Sequence, residues 1–285
     1  MFAFYWFSKG KLLRDILPIT KAICDLPKGK EIKLEGNGEL SYIQMALNDT
    51  SEKLKAQDSM RANWIAEVSH DIRTPLSLVL GYADQLSKSA TLNEEEKKHL
   101  QKIISGSETI RSLIEDLNLT SRLEYNLTKI DNEPIDMVKL LRNIIVDFIN
   151  QGDYEKYSFD FHIEPNNKFI LKGNAGLLER AFRNLILNSI KHNPNGCDIY
   201  IHVVSYAKRM VITVKDNGKG CSEEKINALN KPTQIQIEKR KNQDSYHGLG
   251  LLIVKQVVEL HNGEVMFYSG DTMGFQTEIH FPIQK

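Results

Sequence analysis

In Val68-Ser-His-Asp-Ile-Arg-Thr-Pro-Leu76 an imidazole, a carboxylate and a hydroxyl fall within about one helical turn. Asp71 can orient the His70 ring and hold one tautomer, which leaves the other ring nitrogen free to attack an electrophile. Thr74, one turn on, shares that face and could position a water. Apolar positions run through Val68 and Ile72, and His70 lies about 200° round a helix from each, facing away from the packed side. An exposed histidine alone is usually an ordinary surface residue. Here the neighbours single it out.

Three more clusters carry chemistry. Arg180–His192 puts Asn184 and Asn188 at i, i+4, with Lys191 and His192 on the next turn. An Asn carbonyl is a hard oxygen ligand suited to Mg²⁺ carried by a nucleotide, and Lys191 could meet phosphate. Taken alone, this spacing describes a helix with scattered surface amides equally well. In Val211-Ile-Thr-Val-Lys-Asp-Asn-Gly-Lys-Gly220 a strand runs into an acid and two glycines. Asp216 would accept a hydrogen bond from an amino group, while Gly218 and Gly220 allow close backbone approach. A plain turn after an edge strand has the same signature. In His247-Gly-Leu-Gly-Leu-Leu-Ile-Val254 glycines open an apolar helix, so backbone N–H groups can face phosphates. It is not GxGxxG and no strand leads directly into it, which excludes Rossmann and P-loop readings. The polar stretch Lys225–Ser245 before it, with Lys239, Arg240 and Lys241, reads as a solvated loop or a lid.

The elements that position these clusters follow from periodicity. Leu12, Ile16, Ile19, Ile23 and Leu26 mark an amphipathic helix containing Pro18, ended by Pro27 and Gly29. A connector with Ile32 and Leu34 leads to a second helix from Ser41 onward. Ile65, Val68, Ile72, Leu76, Val79, Ala83 and Leu86 extend it as one seam, which Pro75 should bend. Thr91–Glu96 reads as a turn and helix start, and Leu100 to Leu117 supply the return helix. A hairpin with one apolar stripe per helix is half-covered, so a homodimer closing a four-helix bundle is the economical expectation. Asn126–Pro134 looks like a linker. Strands near 159–163, 199–204, 210–215, 264–268 and 276–281 then alternate with helices near 136–150, 174–192 and 249–261, the pattern of an α/β sandwich.

The chain has 285 residues, with 37 basic and 37 acidic side chains, so no nucleic-acid or polybasic membrane signal arises. Cys24, Cys197 and Cys221 form neither a CxxC pair nor a disulfide framework, and read as inert thiols. Met1–Phe7 is apolar and aromatic but too short to span a bilayer; with Lys9, Lys11 and Arg14 after it, it reads either as the inner end of a transmembrane helix or as an apolar helix start.

In order and spacing, these clusters resemble the sensor histidine kinases of two-component systems. SHDIRTP is similar to the H box, RNLILNSIKH to the N box, DNGKG to the G1 box and HGLGL to the G2 box. His261-Asn-Gly263 and Gly274-Phe-Gln-Thr277 resemble the closing segments. The resemblance implies four parts: a transmembrane helix end at 1–7, a HAMP-like all-α module at 8–57, an all-α dimerisation and phosphotransfer domain at 58–126, and a catalytic ATP-binding domain of the Bergerat type at 134–285. It implies that His70 is the phosphoacceptor, Asp71 the general base and Thr74 the residue used to dephosphorylate a response regulator. Asn188 would coordinate Mg²⁺, supported by Asn184. Lys191 and His192 would line the phosphate and ribose side, and Asp216 would read the adenine amino group. Gly218, Gly220, Gly248 and Gly250 would shape the pocket, with Lys239, Arg240, Leu249 and Thr277 among the nucleotide-binding residues. The implied cofactors are ATP and Mg²⁺. The implied partners are a second copy and a response-regulator receiver domain. The implied location is the cytoplasmic side of a membrane, reached through a helix N-terminal to this chain. Hydrolytic relatives place a Glu four residues before the Mg²⁺ Asn; here that position is Asn184, which favours transfer to a side chain over hydrolysis. Two features depart from the family: Ala228-Leu-Asn-Lys-Pro-Thr-Gln234 lacks the aromatic residues of the F box, and the fuller GTGLGL is reduced to Tyr246-His-Gly-Leu-Gly-Leu. A catalytically weak nucleotide-binding scaffold is the alternative expectation, and a simple ATPase the third.

Overall fold

The computed structural model describes residues 16–26, 32–35, 40–88, 92–124, 133–150, 155–165, 169–206, 209–232, 249–270 and 274–282. The chain forms two compact units, Met1–Leu127 and Thr128–Lys285. The expected transmembrane end at 1–7, the linker core 126–132, and Lys239, Arg240, His247 and Gly248 lie outside the described residues.

The first unit is helical. Helix α1 (16–25) buries Ile19 and Ala22. The connector is tied to helix α2 (Ser41–Ser87) by side chains that imitate a strand partner: Asn48 Oδ1 accepts from the Leu34 N–H at 2.9 Å and its Nδ2 donates to the Leu34 carbonyl at 2.9 Å. Ser51 Oγ accepts from the Ile32 N–H at 3.2 Å. The α2 helix runs unbroken for 47 residues, about 70 Å, with Pro75 inside it. Proline has no N–H, so the carbonyl of Asp71 loses its partner four residues on, directly beside His70. The side chains that α2 buries are Gln44, Ser51, Ala62, Ser69, Leu76 and Ala83, at steps of seven with one step of eleven.

Helix α3 (Glu94–Glu124) returns against α2. Its start is a capping box: Asn93 Oδ1 accepts from the N–H groups of Glu95 and Glu96 at 3.0 and 2.9 Å, and Glu96 Oε2 accepts from the Asn93 N–H at 2.8 Å. Three acids in the first turn complement the helix dipole. Asn93→Ala is expected to destabilise the hairpin by about 1 kcal/mol, seen as an earlier denaturant midpoint with unchanged slope. The hairpin leaves much of the seam uncovered. Leu76 and Ala83 are buried, yet Val68 is 36% and Leu86 53% exposed, and Ile103, Ile110 and Leu113 of α3 are also exposed.

The second unit is the expected α/β sandwich. Its main sheet has five strands: β2 (Tyr157–Ile163), β4 (Cys197–Tyr206), β5 (Arg209–Asp216), β6 (Glu264–Gly270) and β7 (Gly274–Pro282), in the order β2-β4-β5-β7-β6. Only the β2–β4 pairing is parallel. One sheet face is apolar, with Ile199, Ile201, Val203, Met210, Ile212, Val214, Phe267, Ile279 and Phe281 all buried. It is covered by helices α4 (Met137–Asn150), α5 (Ala175–His192) and α7 (Leu249–Leu260), at roughly 1.5–3 kcal/mol for each fully buried large side chain. Two short strands, β1 (Glu133–Asp136) and β3 (Ile170–Gly173), pair separately. Pro134 therefore belongs to a strand rather than a linker. Lys225 likewise falls within a short helix, α6 (Glu223–Leu229), because Ser222 and two acids make a helix start of what reads as the beginning of a loop.

Candidate functional site

In the helical unit His70 projects to solvent, its side chain 75% exposed, as the seam requires. Its Nδ1 faces Asp71 Oδ1 at 3.7 Å, beyond hydrogen-bond range but on the correct side, so Nε2 is the open nitrogen. Thr74 Oγ donates to the His70 carbonyl at 3.3 Å, which keeps its hydroxyl on the His70 face. Ser69, one residue back, is buried instead, with its hydroxyl on the Ile65 carbonyl at 2.6 Å.

In the second unit the alternation of β5 does the positioning. Met210, Ile212 and Val214 point inward, so Asp216 does too, and it is 1% exposed. A buried carboxylate needs partners, and it has them. Ser189 Oγ donates to Oδ2 at 2.7 Å. The Gly218 N–H donates to Oδ1 at 2.9 Å, with longer contacts from the Phe275 N–H and Asn193 Nδ2. Ser189 arrives because it continues the Leu178–Phe182–Leu185 stripe of α5 toward the sheet. Asn193 caps α5, bonds the Ser189 carbonyl and accepts from the Lys219 N–H. Neither Ser189 nor Asn193 was among the expected site residues; the apolar spacing of α5 marks Ser189, while nothing local marks Asn193.

The glycines of this cluster have a different cause from the expected one. A Cβ on Gly218 would sit 2.0 Å from Asn193 Oδ1, so the close approach is to the protein's own amide. Gly220 and Gly274 adopt left-handed φ of +63° and +67°, and a Cβ on Gly274 would meet the Asp216 carbonyl at 2.0 Å. Thr277 lies inward on β7, opposite Val214.

Asn184 and Asn188 are half-buried on α5; Lys191 and His192 are exposed at its C-terminal end, where positive charge is favourable. Partial burial, then Lys219 and Lys191, lower the His192 pKa, so its ring is neutral near pH 7. Gly250 of α7 lies over Asn184: a Cβ there would be 3.5 Å from Asn184 Cγ. The Asn184 Nδ2 is buried without a partner, a donor that a bound oxygen would satisfy. Leu249 is buried at the start of α7. Cys197 is pushed up to about 11 by burial and then by Asp216, so it stays a thiol.

His261 has a structural task. Its Nε2 accepts from the Asn174 N–H at 3.0 Å, so the proton sits on Nδ1, which donates to the Val257 carbonyl at 2.7 Å. The ring fills the space over Gly173, where a Cβ would clash at 2.1 Å. Burial lowers its pKa. The folded domain therefore binds this proton less readily than the unfolded chain, and folding is penalised as pH falls below about 6.5. The melting temperature is expected to drop between pH 7.5 and 5.5. His261→Gln should melt lower at pH 7.5 but with a flatter slope.

Two family models match the chain: the His Kinase A (phospho-acceptor) domain over residues 60–126, and the histidine kinase-, DNA gyrase B- and HSP90-like ATPase over residues 173–285. These stretches contain His70 and the Asn184–Asp216 cluster respectively. The chain belongs to the sensor histidine kinases. Among its relatives, the sensor histidine kinase YvrG of Bacillus subtilis is 35% identical over 97% of this chain and 49% of its own length. The heme sensor protein HssS of Staphylococcus saprophyticus is 28% identical over 96% of this chain and 60% of its own. The chain thus spans about half to three fifths of the length of these relatives. Two solved structures share the fold. Full-length ShkA in complex with AMPPNP has a TM-score of 0.60 at 21% identity, covering 77% of this chain and 45% of that one. The Acinetobacter baumannii histidine kinase AdeS has a TM-score of 0.51 at 17% identity, covering 76% and 98%.

Proposed function

We propose that this sensor histidine kinase transfers the γ-phosphoryl group of ATP to its own His70, and then to an aspartate of a response-regulator receiver domain. The observation that carries this reading is Asn184, whose side chain lies beneath Gly250 and whose buried Nδ2 lacks a partner. The position offers a donor to a phosphate oxygen and no carboxylate to activate water. The family's ATPase description supports ATP as the phosphoryl source.

Asp216 would hold the adenine amino group in the buried pocket set by Ser189 and Gly218. Neutral His192 suits a ribose hydroxyl, and Lys191 a phosphate. Asn188, with Asn184 beside it, would hold the Mg²⁺ that accompanies the phosphates; the ion supplies charge neutralisation. Among the described residues no cluster of three His, Cys, Asp or Glu side chains could hold a metal independently. At His70 the Nε2 lone pair forms the N–P bond while the bond from γ-phosphorus to the bridging oxygen breaks. ADP leaves with that electron pair, and Asp71 holds the imidazole proton on Nδ1. Thr74 would position water for dephosphorylation of the receiver.

The half-covered seam supports a homodimer, in which a second hairpin covers Val68, Ile72, Val79 and Leu86. Helix α1, its strapped connector and the start of α2 support the HAMP-like module, to which a membrane helix would connect upstream. Among the described residues no helix is long and apolar enough to cross a membrane. The test is incubation of the chain with γ-labelled ATP and Mg²⁺. Acid-labile, alkali-stable label on the protein is the expected result. Nucleotide binding without label would favour a scaffold, and steady phosphate release independent of His70 an ATPase.

A further inference from the structure

The segment that lacks the family's aromatic F box is nevertheless firmly rooted. Lys255 of α7 is 5% exposed, and its Nζ donates to the carbonyls of Leu229 at 2.9 Å and Lys231 at 2.5 Å. The Leu229 carbonyl ends α6, where the helix dipole is negative, and the Lys231 carbonyl lies just past its cap, so the buried ammonium meets charge of the right sign. Between them, Asn230 Nδ2 donates to the Phe267 carbonyl at 2.8 Å and its Oδ1 accepts from the Phe267 N–H at 2.9 Å. An amide side chain thus fills a strand position beside β6.

Both ends of this clamp reach walls of the nucleotide site. Lys255 shares α7 with Gly250, which lies over Asn184. Phe267 is fully buried and stacks on Phe275 with centroids 5.9 Å apart, and the Phe275 N–H reaches Asp216 Oδ1 at 3.3 Å. Residues 229–231 therefore join the α7 wall to the Asp216 wall through four side-chain hydrogen bonds, where apolar packing by aromatic rings would otherwise be needed.

We infer that Lys255 and Asn230 are positioning residues of the nucleotide site, a polar clamp that takes the place of the missing aromatic anchor. This rests on the ATP-binding reading above. Without the clamp, residues 229–231 lose their hold on α7 and β6 and the two walls are held less firmly, so nucleotide affinity suffers before the chemistry at His70.

The test compares Lys255→Met, Lys255→Arg and Asn230→Ala in the full chain, with calorimetric binding of a non-hydrolysable ATP analogue and autophosphorylation kinetics. Lys255→Met and Asn230→Ala are expected to raise Kd and the KM for ATP roughly tenfold, about 1.4 kcal/mol, with kcat changed less than about twofold. Lys255→Arg, which keeps a cation and its donors, is expected to recover most of the affinity. Unchanged affinity in Asn230→Ala, or equal loss in Lys255→Arg and Lys255→Met, overturns the inference. If Lys255→Met does not fold, Asn230→Ala decides by the same Kd criterion, because Asn230 is only half-buried and its truncation leaves Lys255 and its two hydrogen bonds in place. A wild-type chain that binds no nucleotide would instead overturn the ATP reading itself.

Discussion

His70→Gln is expected to abolish the acid-labile label completely while leaving nucleotide affinity unchanged. Glutamine keeps a polar side chain of similar reach but has no nucleophilic ring nitrogen. At 75% side-chain exposure the change removes no packing, so loss of label cannot be ascribed to unfolding. Label that persists would sink the assignment of His70. The same variant answers a second question when mixed with Asn188→Ala chains. Label on the His70 of Asn188→Ala chains means that nucleotide on one subunit serves the partner's helix. Absence of label in mixed dimers means that each subunit serves its own.

Asp216→Asn is expected to weaken ATP binding by roughly 10- to 100-fold, from the loss of about 1.5–3 kcal/mol for a hydrogen bond to a charged group. The carboxylate is an acceptor only, and Ser189, Gly218 and Phe275 all direct donors at it. An amide must turn its NH₂ toward one of these donors, so the substitution also disturbs the pocket wall. Calorimetry with an ATP analogue checks the affinity, and a melting curve separates that effect from stability. Undiminished affinity in a folded Asp216→Asn protein would remove this residue from the adenine site.

Much of this was legible in the sequence because two periodicities carry it. The 3.6-residue period turned His70 outward and Leu178, Phe182 and Leu185 inward; the period of two placed strands near their observed bounds. What escaped depends on distant partners. Strands β1 and β3 are four residues each and are defined by each other. Asn193 and His261 act through groups far away in the chain, the N–H of Lys219 and that of Asn174. The Asp-Asn-Gly turn follows the central strand of the sheet rather than an edge, which is why its acid is buried rather than solvated. In the sequence Gly218 marks only a close backbone approach; in the fold its missing Cβ makes room for Asn193.

The spacing of buried side chains along α2 has a mechanical reading. Seven residues fall about 20° short of two full turns, so successive seven-residue steps make the buried face creep round the helix. Eleven residues overshoot three turns by a similar angle. The single eleven-residue step, from Ser51 to Ala62, winds the face back between the connector-bound part of α2 and the part that carries His70. It is a phase joint in a rod about 70 Å long. Twist applied above it can be absorbed there or passed on, and the imidazole eight residues beyond Ala62 reads the difference as a change in azimuth.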